Sequence, residues 1–179
     1  MRFTTDKSVL LVIDVQGKLA HLMHQKDELF RNLQTLIKAA HLFAIPVLLT
    51  EQAPQKIGET IEEIKQVLKE KPIGKTAFSC CGEDEFVRRL RALKRKQIIV
   101  CGIETHVCVY QTVCDLREMQ YEVQVVANAV SSRVEENKNL ALGRIQLTGA
   151  TLTSTEMLIC ELMKGADHPK FKEVMGLIK

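Results

Sequence analysis

Apolar positions along this chain keep two rhythms, and the rhythms alternate. The runs V-L-L-V-I at 9–13 and I-I-V-C at 98–101 are apolar without interruption. That is the pattern of strands buried on both faces of a parallel sheet. P-V-L-L-T at 46–50 and Y-E-V-Q-V-V-A at 121–127 read as two further strands, and short runs around Lys75 and at 150–152 supply the remaining pair. Between them the spacing lengthens to that of a helix. Leu29, Leu33, Leu36, Ile37, Ala40 and Ala44 form one stripe on a helix that opens at Asp27 and ends with the help of Pro46. Residues 59–71 are predicted to form an amphipathic helix through Ile61, Ile64 and Leu68. Phe86, Leu90 and Leu93 mark another, and Val109, Val113 and Leu116 mark one that follows the break at Gly102. N-A-V-S-S-R at 128–133 reads as a turn into a helix near Val134, with two more helices around Leu158 and after His168, Pro169 falling in the first turn of the last.

Strands alternating with helices imply right-handed βαβ crossovers, a mostly parallel sheet, and helices on both faces. The expected class is α/β, a three-layer αβα sandwich around six strands. At 179 residues and 46% hydrophobic, the chain suits a single domain over 1–179.

Composition narrows the partners. Net charge is +3, with no Trp and two Tyr, so neither a strong basic field nor stacking platforms argue for nucleic acid. Six basic residues between Arg88 and Lys96 read as a solvated helix face, with acids in its first turn and bases in its last. No apolar run approaches the roughly 18–20 residues of a membrane span, and M-R-F-T-T-D-K-S lacks the apolar centre of a secretory leader. The expectation is a cytoplasmic protein that acts on a small molecule, without nucleic-acid or membrane partners. Six cysteines, at 80, 81, 101, 108, 114 and 160, are then expected as free thiols. A zinc site from Cys101, His106, Cys108 and Cys114 would need an irregular ligand set with no C-x-x-C knuckle.

Three residues carry candidate chemistry. Cys108 falls at a strand-to-helix junction, where unsatisfied helix amides favour thiolate, so it is a candidate nucleophile; the competing reading is a buried hydrophobe. Asp14 ends the first apolar run, at the carboxyl end of a strand where parallel sheets bind ligands. Lys75 sits inside a short apolar element and is costly to bury without an anion, which Asp14 and Cys108 would supply. His106, two residues before the thiol, is a rival base.

D-V-Q at 14–16, K-T-A-F-S at 75–79 and G-I-E-T-H-V-C-V-Y-Q-T at 102–112 resemble the isochorismatase-like cysteine hydrolases, a superfamily that includes nicotinamidases and N-carbamoylsarcosine amidohydrolase. The resemblance spans residues 7–163. It implies a triad of Asp14, Lys75 and Cys108, strand order 3-2-1-4-5-6, a cis Ile103–Glu104 peptide bond, and a homo-oligomer. It further implies an oxyanion hole from the Glu104 and Cys108 backbone N–H groups, and a substrate pocket lined by Gln16, Glu51, Gln52, Phe78 and His106. Nicotinamidases carry metal ligands in an Asp-x-His arrangement after strand two; here Thr50, Glu51 and Gln52 stand there, so no metal or cofactor is expected. The implied activity is hydrolysis of a small amide or carbamoyl compound through a thioester. Two alternatives stay open: vinyl-ether hydrolysis of an isochorismate-type substrate, and a non-catalytic binding or scaffold protein on the same fold.

Overall fold

Strand β1, Ser8–Ile13, is buried along its whole length. Its odd and even residues feed two different cores, as the two-residue period of a strand requires. Leu10 and Val12 join Leu33, Ile37, Leu158, Leu162 and Val174 on one face. Val9, Leu11 and Ile13 join Phe86, Leu90, Val113, Leu116 and Ile145 on the other. The computed structural model describes residues 2–178, so Met1 and Lys179, the ends of the expected domain, lie outside the described residues.

After β1 come the single turn α1, Gly17–Ala20, the long helix α2, Lys26–Leu42, and β2, Val47–Gln52. Two short turns, α3 at Pro54–Ile57 and α4 at Glu62–Lys65, precede β3, Ile73–Lys75. Then follow α5, Asp84–Ala92, and β4, Gln97–Ile103. A wide π-helical turn over Thr105–Val109 leads without a break into α6, Tyr110–Glu118. The chain finishes with β5 (Glu122–Ser131), α7 (Glu135–Leu147), β6 (Thr151–Thr153), α8 (Thr155–Met163) and α9 (Phe171–Ile178). All pairings between neighbouring strands are parallel, in the order β3-β2-β1-β4-β5-β6. This is the expected three-layer αβα sandwich, and it sets β1 beside β4 where the strand order reverses.

Three expected elements differ. The helix over 59–71 contracts to the single turn α4. Thr60 instead forms an antiparallel bridge with Gln16, and the Ile61 N–H donates to the Val15 carbonyl at 3.0 Å, so the start of that segment is held extended. Strand β5 continues through Ser131 where a turn was expected, and α2 stops before Ala44, which takes a left-handed φ of 54°.

Gly102 explains how β4 can approach β1. Its φ is 114°, and a Cβ there would lie 2.1 Å from the Ile13 carbonyl oxygen. Glycine alone fits such a contact in that conformation.

Candidate active site

Three strand ends bring the predicted residues together. Asp14 leaves β1 with a φ of 52°, a left-handed conformation uncommon outside glycine and tolerated best by Asn and Asp. Lys75 closes β3. Cys108 lies on the turn that follows β4. The Ile103–Glu104 peptide bond just upstream is cis.

Lys75 and Asp14 form a buried ion pair, Nζ to Oδ2 at 2.7 Å, with side chains 0% and 5% exposed. The ammonium also donates to Gln52 Oε1 at 2.7 Å and to the Phe78 and Ala77 carbonyls at 3.0 and 3.2 Å. Asp14 Oδ1 accepts from the Thr50 hydroxyl at 2.7 Å. Each carboxylate oxygen therefore has one fixed partner, which sets the orientation of the group.

The thiol does not behave as its place near a helix start suggests. Burial pushes Cys108 up to about 12, the Asp14 charge adds to this, and Lys75 opposes it. Burial thus favours the neutral thiol. The sequence-based expectation of a helix-stabilised thiolate is corrected on that ground: removing sulfur from water beside a carboxylate outweighs the partial charge of the helix end. Cys80 forms part of the same floor, its sulfur 3.7 Å from Thr50 Oγ1 and its thiol raised to about 11, mainly by burial.

The residues expected to line the pocket divide. Gln52 holds Lys75, and Phe78 offers Lys75 its carbonyl while its ring stays 54% exposed. Gln16 is fully buried, donating to the Gln52 and Gly58 carbonyls and accepting from the Gln52 N–H. Its amide is spent on the loop. Glu51 alternates away from Thr50 and Gln52 and takes the Thr60 N–H and hydroxyl at 2.8 and 2.7 Å on the other face of the sheet. The Gln16 amide and Glu51 Oε1 are thus engaged within the protein. His106 pairs Nδ1 with Ser132 Oγ at 2.9 Å. Glu104 is buried, and its carboxylate accepts from the Arg133 N–H and Nε, both at 3.1 Å. The four residues weighed as zinc ligands do not converge: among the described residues no group of three or more His, Cys, Asp or Glu is placed to hold a metal ion.

Thr50, Cys80, Ser132 and Arg133 are site neighbours that sequence reasoning did not single out. Thr50 carried a signal, since it closes the apolar run at 46–50 as Asp14 closes the run at 9–13. Ser132 and Arg133 lay hidden in a stretch read as a turn.

Residues 8–157 match the isochorismatase domain family. The chain belongs to the isochorismatase family. A relative from Phytophthora sojae, named a secreted isochorismatase effector, is 39% identical over 99% of this chain and 87% of its own length. A solved structure named MAR1 ribonuclease from Caenorhabditis elegans is 40% identical, covers 99% of this chain and 92% of that one, and superposes with a TM-score of 0.93. A Pseudomonas aeruginosa structure, named YcaC with hexane-2,5-diol and covalent acrylamide, is 25% identical with a TM-score of 0.92 and coverages of 98% and 91%. The chain therefore carries the hydrolase fold of the isochorismatase family. No helix among the described residues is long and apolar enough to cross a membrane, and the secreted relative shows that family membership does not fix a compartment.

Proposed function

We propose that this protein is a cysteine hydrolase that cleaves a small amide or carbamoyl compound through a thioester on Cys108. The observation that carries the reading is the buried Lys75–Asp14 pair set against the Cys108 thiol. Charged groups held in a dry crevice at the carboxyl ends of parallel strands are costly unless they serve chemistry.

Because burial favours the neutral thiol, attack requires proton transfer. Asp14 takes the thiol proton as sulfur bonds to the substrate carbonyl carbon, and Lys75 keeps the carboxylate in place. The oxygen that becomes negative is met by the backbone N–H groups of Glu104 and Cys108; one such donor is worth roughly 3–4 kcal/mol to the transition state. The tetrahedral adduct collapses, the amine leaves with the proton held by Asp14, and water then releases the acid and restores the thiol.

The test is a screen of small amides, carbamoyl compounds, an isochorismate-type vinyl ether and an RNA oligonucleotide against the wild type, Cys108→Ala and Cys160→Ser. Turnover of an amide or carbamoyl compound lost only in Cys108→Ala, with an acyl or acrylamide adduct on Cys108 by mass spectrometry, supports the reading. Vinyl-ether or RNA cleavage that persists in Cys108→Ala overturns it.

A further inference from the structure

Glu51 is a charged residue that the proposed chemistry does not use. It is 5% exposed, and the two-residue period of β2 turns it away from Thr50 and Gln52, the neighbours that hold Asp14 and Lys75. Only half of its carboxylate is answered. Oε1 accepts from the Thr60 N–H and hydroxyl, whereas Oε2 accepts no hydrogen bond among the described residues and is not one of the fully covered atoms left without a partner. Among those residues no cation forms an ion pair with it either. A carboxylate taken out of water with an oxygen unmet and no counter-charge is costly to keep.

That carboxylate lines a cavity. Glu51 and Thr60 share it with Leu49, Leu68 and Pro72, and its volume of about 380 Å³ falls in the roughly 300–1,000 Å³ range of small-molecule sites. The register partner of Glu51 on β3 is Gly74, which sets no side chain beside it. Two other carboxylates at the cavity are already committed: Glu59 to Lys65, and Glu70 to His41 Nε2 at 2.9 Å. The Lys65 amine is raised first by its hydrogen bond to Glu59 and least by the Glu51 charge, so that lysine is spent elsewhere. Lys69 and Lys71 also line the cavity but are exposed, where water and salt screen them.

We propose that this cavity binds a small organic molecule bearing a primary ammonium group, which donates to Glu51 Oε2 while its hydrocarbon part lies on Leu49 and Leu68. A bare cation would leave the apolar walls unused, and a metal ion would find no group of three His, Cys, Asp or Glu ligands among the described residues. The site lies on the other face of the sheet from the crevice, so the inference does not rest on the hydrolase reading.

The test is a titration with hexylamine, hexan-1-ol and hexanoate at neutral pH in a low-salt, amine-free buffer, followed by NMR of backbone amides and methyl groups. Hexylamine is expected to bind saturably at a single site per chain and to shift Leu49, Thr60 and Leu68. Hexan-1-ol and hexanoate should bind at least about tenfold more weakly, since neither brings a cation to the carboxylate. Glu51→Gln, which keeps an oxygen for Thr60, should lose at least about tenfold in hexylamine affinity. Leu68→Trp fills the half-buried wall and should abolish binding with Glu51 intact, which keeps the test decisive if circular dichroism shows that Glu51→Gln does not fold. Hexan-1-ol binding as tightly as hexylamine, unchanged hexylamine affinity in either folded variant, shifts confined to the crevice, or displacement by an equal concentration of ammonium chloride would overturn the proposal.

Discussion

Two cation–carboxylate pairings in this molecule use the same chemical groups to opposite ends. On α5, Glu85 pairs with Arg88 and with Arg89, the latter at 2.6 Å, in an arrangement open to solvent. Under the strand ends, Lys75 meets Asp14 at 2.7 Å with almost no exposure. Water serves either partner on α5 if the pair opens, so that contact contributes little. No such substitute exists in the crevice, and the protein supplies one: three further acceptors for the ammonium and a hydroxyl for the second carboxylate oxygen. A buried pair is weak evidence for stability and stronger evidence that charge is wanted at that point.

The sharpest way to break this contrast is Lys75→Met, which leaves Asp14 buried without its cation. A loss of about 3–5 kcal/mol in denaturant unfolding is expected, with turnover abolished. Adding Asp14→Asn should return most of the stability and none of the activity. A single variant as stable as the wild type would show that the buried pair is no different from the one on α5. Next comes Thr50→Val, which keeps the shape but takes the donor from Asp14 Oδ1. A cost of about 1–3 kcal/mol and a fall in kcat are expected, with Thr50→Ser restoring both.

The thiols sharpen the comparison through pH. Cys80 and Cys108 rise from 9.0 to about 11 and about 12, so the folded state holds their protons longer than the unfolded chain does. Their contribution is complete below pH 9 and is lost as pH climbs through the folded values. Thermal melts above pH 9 should therefore decline less steeply in Cys80→Ala. Iodoacetamide labelling of Cys108 should shift to lower pH in Asp14→Asn, which removes a negative neighbour, and to higher pH in Lys75→Met, which removes a positive one. The smallest effect is expected from Glu85→Gln, whose melting temperature should match the wild type at moderate salt.

What the sequence disclosed follows from what burial does to residue choice. Continuous apolar runs identified the strands, and the parallel sheet followed from their alternation with helices; the strand order came from the family resemblance. The three residues that converge at the strand ends, Asp14, Lys75 and Cys108, were visible because each is a chemically expensive residue in or beside an apolar run. Glu51 was misplaced because strand parity decides its side of the sheet, and parity needs the true extent of β2. Gln16 was misplaced because its bonds to Gln52 and Gly58 are formed across loops that no local pattern reveals. The helix expected over 59–71 yielded to the bridge between Gln16 and Thr60, a contact between residues 44 positions apart. The sign of the Cys108 shift was also hidden. Helix position is local information, whereas desolvation belongs to the assembled crevice.

Burial that favours the protonated form of Cys108 has a bearing on durability. Peroxides and stray electrophiles attack thiolates far faster than thiols, and the first step toward sulfenic acid requires the anion. By burying Cys108 beside the Asp14 carboxylate, the fold favours the less reactive thiol. The exposed Cys160 is the sulfur an oxidant would meet first. In an oxidising setting, damage should accumulate at the surface of α8 long before it reaches the crevice.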